Sequence, residues 1–111
     1  MGKFEIKKQK NGEFRFNLKS SNGQVVLGSE GYKSKDSCKN GIESVRKNSQ
    51  DLKMFEILEA KNGKPYFNLK SSNGQIIGSS QMYSSTASMK KGIASIQKNA
   101  PDAQIVDLTL E

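Results

Sequence analysis

A fixed offset of 51 residues lays this chain on itself without a gap. Phe4-Glu5-Ile6 returns as Phe55-Glu56-Ile57, and the run from Phe16 to Gln24 returns unbroken as Phe67 to Gln75. Of the 45 positions from Phe4 to Asn48, 25 are identical to their partners, the mark of a tandem duplication. A unit of about 50 residues buries only roughly 60% of its unfolded surface, so each half needs the other. No Pro-, Gly- or Ser-rich linker separates them, since Asp51-Leu52-Lys53-Met54 runs straight into the second copy. The expectation is one domain, residues 1–111, made of repeat 1 (1–51) and repeat 2 (52–111): a monomer that acts as an internal pseudo-dimer.

Each copy has the same order of patterns. Phe4 and Ile6 alternate with Glu5 and Lys7, and Phe14, Phe16 and Leu18 alternate with Arg15, Asn17 and Lys19, the period of half-buried strands. The turn between them follows from the pattern. A two-residue Asn11-Gly12 loop puts the two apolar sets on opposite faces, whereas a three-residue Lys10-Asn11-Gly12 loop pairs Phe4 with Leu18 and Ile6 with Phe16. The same register in the second copy pairs Phe55 with Leu69 and Ile57 with Phe67. There Pro65 stands in place of Phe14, so that strand start is expected to lack a ladder partner for its nitrogen.

A second turn, Ser21-Asn22-Gly23 or Ser72-Asn73-Gly74, leads into Val25-Val26 or Ile76-Ile77. With three loop residues, Val26 and Ile77 face inward while Val25 and Ile76 point outward beside Lys19 and Lys70. Such an aliphatic pair on a polar face marks either a contact surface or a different register.

Ser34 and Ser85 have the character of helix N-caps, and Asp36 suits the first turn of the first helix. Cys38, Ile42 and Val45, matched by Met89, Ile93 and Ile96, share one helical face that packs on the sheet. Helices are expected over Lys35–Lys47 and Thr86–Lys98. Gly41 and Gly92 allow a close approach of helix and sheet at a cost of ~1 kcal/mol, and Asn48 and Asn99 are read as left-handed helix stops. The offset continues past the second helix: Val106-Asp107-Leu108 falls on Phe55-Glu56-Ile57. Leu52 to Ala60 then reads as a strand shared by both copies, and Ala103 to Leu110 as the strand that closes the sheet.

Tyr32-Lys33-Ser34, Asn40 to Val45 with Asn48, Phe67 to Lys70, Gln75 to Tyr83 and Gly92 to Ile96 closely resemble the YegP-like family, also called DUF1508 or UPF0339, in its tandem form. The resemblance covers nearly the whole chain. It implies an α+β fold: two β3-α-β repeats that join into one antiparallel sheet by exchanging their C-terminal strands, with two helices on one face. It implies no activity, because the family's role is uncharacterised.

Chemistry is constrained by what is missing. The chain has no histidine, which excludes imidazole bases and His-containing zinc sites, and its single cysteine, Cys38, matched by Met89, reads as a buried structural thiol. No nucleotide-binding glycine fingerprint is present. Glu5, Glu56 and Asp107 read as equivalent solvated carboxylates on the outer face, and Ser29, Ser80, Ser37 and Ser88 have no base. Neither a catalytic site, a metal nor a cofactor is expected. Apolar stretches are too short for a signal peptide or membrane span, so a soluble, cytoplasmic protein is expected, with no membrane partner.

Net charge is +7, of which residues 1–51 carry 11 basic against 6 acidic groups and residues 52–111 carry 7 against 5. Solvated lysines account for such a balance, and so does attraction to a polyanion. The candidate binding face is Arg15, Asn17 and Lys19 with Tyr66, Asn68 and Lys70, which alternate outward on equivalent strands. Two roles are weighed: a non-enzymatic protein-interaction or structural module with another protein as partner, or weak binding of single-stranded nucleic acid through the basic sheet face.

Overall fold

The computed structural model describes residues 2–109. Repeat 1 contributes strands β1 (Lys3–Lys8), β2 (Phe14–Lys19) and β3 (Val25–Gly28) and helix α1 (Lys35–Asn48). A 3-10 turn at Leu52–Met54 leads into β4 (Phe55–Glu59), β5 (Pro65–Lys70), β6 (Ile76–Ser79) and α2 (Thr86–Asn99). A second 3-10 turn, Ala100–Asp102, precedes β7 (Gln104–Asp107). Leu110, the expected end of the closing strand, lies outside the described residues.

Both hairpins have the register that the alternation requires: Phe4 opposite Leu18 and Ile6 opposite Phe16, then Phe55 opposite Leu69 and Ile57 opposite Phe67. Gly12 and Gly63 sit at φ +87° and +82°, where a side chain would be strained, which is why the three-residue loops end on glycine. The Pro65 expectation also holds. In repeat 1 Phe14 and Tyr32 exchange both main-chain hydrogen bonds (2.7 and 2.6 Å), whereas in repeat 2 only the Tyr83 N–H donates, to the Pro65 carbonyl (2.8 Å).

The seven strands form one sheet in the order β4-β5-β6-β3-β2-β1-β7. The copies meet at its centre, where Gly28 of β3 faces Ser79 of β6. Leu27, fully buried, fills the space over its counterpart Gly78, whose Cβ would come within 2.7 Å of the leucine Cδ2. Two leucines could not meet there. A bulge between Leu18 and Lys19 lets the neighbours Val26 and Leu27 both be buried, while Val25 and Ile76 point outward beside Lys19 and Lys70 as expected.

Ser34 and Ser85 cap the helices, each accepting from the N–H three residues on (3.1 Å). The helix faces read from sequence join Phe4, Phe16, Leu18, Phe67 and Leu69 in one core, and Cys38 is buried within it. Gly41 and Gly92 approach Tyr32 and Tyr83 most closely, whose rings stack on Phe16 and Phe67 at 6.2 and 6.1 Å, and Gly41 also faces Phe16 of β2 directly, where a Cβ would come within 3.1 Å.

Three expectations need correction. Asn48 and Asn99 are not left-handed stops, since no described non-glycine residue has positive φ. Each ends its helix by donating from Nδ2 to the carbonyl four residues back, Ser44 (2.9 Å) or Ser95 (2.8 Å). The sheet is antiparallel except for one pair: β7 runs parallel to β1, because the chain returns from α2 in the same sense in which β1 began. Finally, β4 is not shared between copies. It pairs with β5 alone and forms the opposite edge of the sheet, so one strand is handed across and none returns.

Candidate functional site

The alternation that buries Phe16 and Leu18 turns Arg15, Asn17 and Lys19 onto the open face of β2, and the same rule places Tyr66, Asn68 and Lys70 on β5. The structure does not bring the two sets together. Strands β3 and β6 lie between them, which at ~4.8 Å per strand separates the sets by roughly 14 Å. Lys19 Nζ is 2.9 Å from Glu5 Oε1, and Lys70 Nζ is 3.0 Å from Glu56 Oε2. The lysine hydrogen bond, which outweighs desolvation, holds the Glu5 carboxyl below its ordinary range. Asn68 Oδ1 accepts from Ser79 Oγ at 2.7 Å. Arg15 leans over Gly28, where repeat 2 has the larger Ser79. Two of the three cations of this face are thus already paired with carboxylates, and a phosphate would have to displace them.

The other polar groups have structural partners. Ser29 and Ser80 each accept from a strand N–H, of Phe16 or Phe67, at 2.9 Å. Ser37 and Ser88 lie in the helix caps. Burial pushes the Cys38 thiol up to about 11, far from the thiolate a nucleophile needs. Asp107 does not lie with Glu5 and Glu56 on the outer face. It stands beside Ile6 in the parallel register and meets Lys35 Nζ, in the first turn of α1, at 2.8 Å. That hydrogen bond, with those from Thr109, lowers its pKa to about 2. A hollow of about 510 Å³ between the Ser20–Asn22 turn and α2 has Lys91 and Lys98 in its wall and no carboxylate or cysteine among its lining residues. Among the described residues no group of three metal-ligating side chains occurs, and no helix is long and apolar enough to cross a membrane.

The least conventional surface is one that pattern reading did not find. Along β1, the Gln9 N–H to Glu13 carbonyl bond (2.7 Å) sets the phase of the ladder, so Phe4, Ile6 and Lys8 turn their main-chain groups away from β2. There β7 lies against Phe4 and Ile6, with the Leu108 N–H donating to the Ile6 carbonyl at 3.0 Å. Side chains from α1 secure β7 further: Arg46 Nη2 donates to the Ala103 carbonyl (2.6 Å), Glu43 holds Arg46 (3.3 Å), and Lys35 holds Asp107.

On β4 the Ala60 N–H to Lys64 carbonyl bond (2.9 Å) fixes the same phase, so Phe55, Ile57 and Glu59 turn theirs away from β5. The Phe55 N–H closes the preceding turn onto the Leu52 carbonyl. For Ile57 and Glu59 no strand is present on that side among the described residues. Ile57 is 57% exposed where its counterpart Ile6 is fully buried. The side chain of Glu56 is 41% exposed against 9% for Glu5. Beside this edge runs an apolar groove of about 460 Å³ between Leu52, Phe55 and Ile57 on one side and Ile93, Ala94 and Gln97 of α2 on the other, with Lys90 as its one charged lining residue. The three charged residues that secure β7, Lys35, Glu43 and Arg46, correspond to Thr86, Ala94 and Gln97. Those mismatches between the copies were the sequence signal that could have revealed the edge.

Comparison with known proteins agrees with the repeat. The family model described as "Domain of unknown function (DUF1508)" matches residues 9–56 and again 60–107, the two matches beginning 51 residues apart. A UPF0339 protein of Pasteurella multocida is 55% identical over 111 residues, covering 100% of this chain and 97% of that protein. The UPF0339 protein YegP of Escherichia coli K12 is 49% identical over 108 residues, covering 97% and 98%. The solution structure of a UPF0339 protein from Shewanella oneidensis superposes with a TM-score of 0.94 at 52% identity, covering 99% of this chain and 93% of that one. The solution structure of YegP from E. coli, described as a protein of unknown function, gives 0.92 at 48% identity over 96% and 92%.

Proposed function

The chain belongs to the DUF1508 family, carrying two copies of its domain, and from that premise we propose that it acts as a protein-interaction module rather than an enzyme. The observation that carries this reading is the exposure of Ile57 on a strand edge whose counterpart in repeat 1 is covered. A lone exposed aliphatic residue is ordinary. Here Leu52 and Ile57 are continuous with an apolar groove and with main-chain groups turned outward, which is the make-up of an interaction surface. The pairing of Lys19 and Lys70 with carboxylates weighs against the basic face as a nucleic-acid site, and the shifts at Glu5 and Asp107 (lowered) and at Cys38 (raised) move these groups away from proton transfer near neutral pH.

The test is a photo-crosslinking amino acid at position 57 of the full chain, with one at position 17 as the control on the open face. A discrete protein adduct from position 57, abolished by a second substitution Leu52→Lys, is expected inside cells. Crosslinked RNA from position 17 with no adduct from position 57 would overturn the reading in favour of the basic face.

A further inference from the structure

Repeat 1 contains, a few strands away, a worked example of what the edge of repeat 2 can hold. Shifting the β1–β7 register by 51 residues places an added strand against Met54, Phe55, Glu56 and Ile57, as Gln104, Ile105, Val106 and Asp107 lie against Lys3, Phe4, Glu5 and Ile6. Resting on the interaction reading above, we propose that β4 takes a second partner by strand addition: an extended segment of another polypeptide, running parallel to β4, with aliphatic side chains at alternate positions turned into the groove.

The occupant is not the C-terminal strand of a second copy. Each chain has two edges of this kind, β1 and β4, and a single β7, which is already secured on β1 by Arg46 and Lys35. Moving it to a neighbour's β4 leaves its own Phe4 and Ile6 uncovered, so exchange among copies gains nothing.

The differences between the copies define the chemistry of the segment. Thr86 in place of Lys35 removes the partner for an acidic residue at the position of Asp107, and the exposed Ile57 beside it favours an aliphatic side chain. Ala94 in place of Glu43 widens the groove for a larger residue at the position of Ile105. Gln97 in place of Arg46 still offers an amide N–H to the carbonyl that Ala103 occupies in repeat 1. Lys90, with no carboxylate among the groove residues, suits an acidic flank. Main-chain pairing supplies affinity and the alternate pockets supply selectivity, the general logic of strand addition to an open edge.

The probe is a capped synthetic peptide with the sequence of residues 100–109 of this chain, together with its Asp107→Ile form, titrated into the full-length protein and followed by amide NMR. Expected are saturable one-to-one shifts confined to β4 and α2, with the Asp107→Ile peptide at least fivefold tighter. Binding should fall at least tenfold in Ile57→Lys, which puts a charge on the edge. It should fall similarly in Ile57→Pro, which removes the outward N–H within that register and leaves the ladder to β5 intact. Thermal melts identify any variant that has lost its fold. A spin label on the peptide's N-terminus should broaden Phe55 and one on its C-terminus Glu59.

Reversed broadening, shifts on β1 with release of β7, indifference to both variants, or no shift at about 1 mM peptide would overturn strand addition. A concentration-dependent homodimer with β4 amides protected would overturn it in favour of edge-to-edge self-association. Crosslinking of a folded protein from position 57 without peptide binding would leave the interaction reading standing and remove the extended segment.

Discussion

Phe4-Glu5-Ile6 and Phe55-Glu56-Ile57 are the same tripeptide on the first strand of the same hairpin, yet Ile6 is sealed and Ile57 lies mostly in water. Neither propensity nor pattern distinguishes them. What differs is β7, which covers one edge, whereas among the described residues no strand covers the other. Burial at a sheet edge is therefore a property of the neighbour. Duplication copied the need for that neighbour twice and supplied it once.

The comparison is broken most severely in the core, where the copies should behave alike. Phe16→Ala and Phe67→Ala should each cost about 3 to 5 kcal/mol in chemical denaturation, because both rings are fully buried and stacked on a tyrosine. A difference above ~1.5 kcal/mol between them would mean that the halves do not share one core. At the edges the copies should diverge. Ile6→Ala should cost about 2 to 5 kcal/mol as a buried truncation, whereas Ile57→Ala should stay within about 0.5 kcal/mol, the range for exposed sites. Equal losses would show that β4 is covered in solution.

Where the halves meet, Gly78→Leu should destabilise by about 1 to 3 kcal/mol by overpacking against Leu27. Combining it with Leu27→Gly should recover part of that loss, since the two positions touch. Additive losses would deny that Leu27 occupies the glycine's space. The smallest effect concerns acid. The folded pKa of Asp107 is lowered to about 2, so its ion pair with Lys35 stabilises the fold above its ordinary carboxylate range and is lost as pH falls from about 4 towards 2. Between those values β7 amides should lose hydrogen-exchange protection before those of β5, and an Asp107→Asn variant should abolish that early step. Identical acid profiles in the two proteins would remove Asp107 from the latch.

Much of this was legible in the residues. Alternation and the glycine of each three-residue loop fixed both hairpin registers, and the spacing of Cys38, Ile42 and Val45 found the buried helix face. The rest failed for identifiable reasons. Equivalence in sequence puts Val106 on Phe55 and Phe4, but in space Val106 stands beside Glu5 and Ile105 beside Phe4. An offset reports common origin, and pairing is decided by where α2 releases the chain. The bulge at Leu18 was hidden because Val26 and Leu27 are both apolar, so alternation gave no sign of the inserted residue. Alternation assigns the candidate face its strands but not their order, which sets Lys19 far from Lys70, and it does not show that Glu5 and Glu56 pair with those lysines. Identities between the copies do not show the edge of β4, because its marks, Thr86, Ala94 and Gln97, are differences.

The parallel pairing of the first and last strands also determines how the molecule bears load. Tension applied at Lys3 and Asp107 pulls the start of β1 and the end of β7 in opposite directions along their common axis, so the hydrogen bonds between them are strained together in shear. An antiparallel closing strand would instead have opened bond by bond, like a zip. The same four-residue contact should therefore resist more force when the protein is pulled at Lys3 and Asp107 than when it is pulled at Lys8 and Asp107, which lie at the same end of the pair and peel the strands apart. Single-molecule pulling in the two attachments measures this directly, and equal rupture forces would show that the β1–β7 contact does not act as a mechanical clamp.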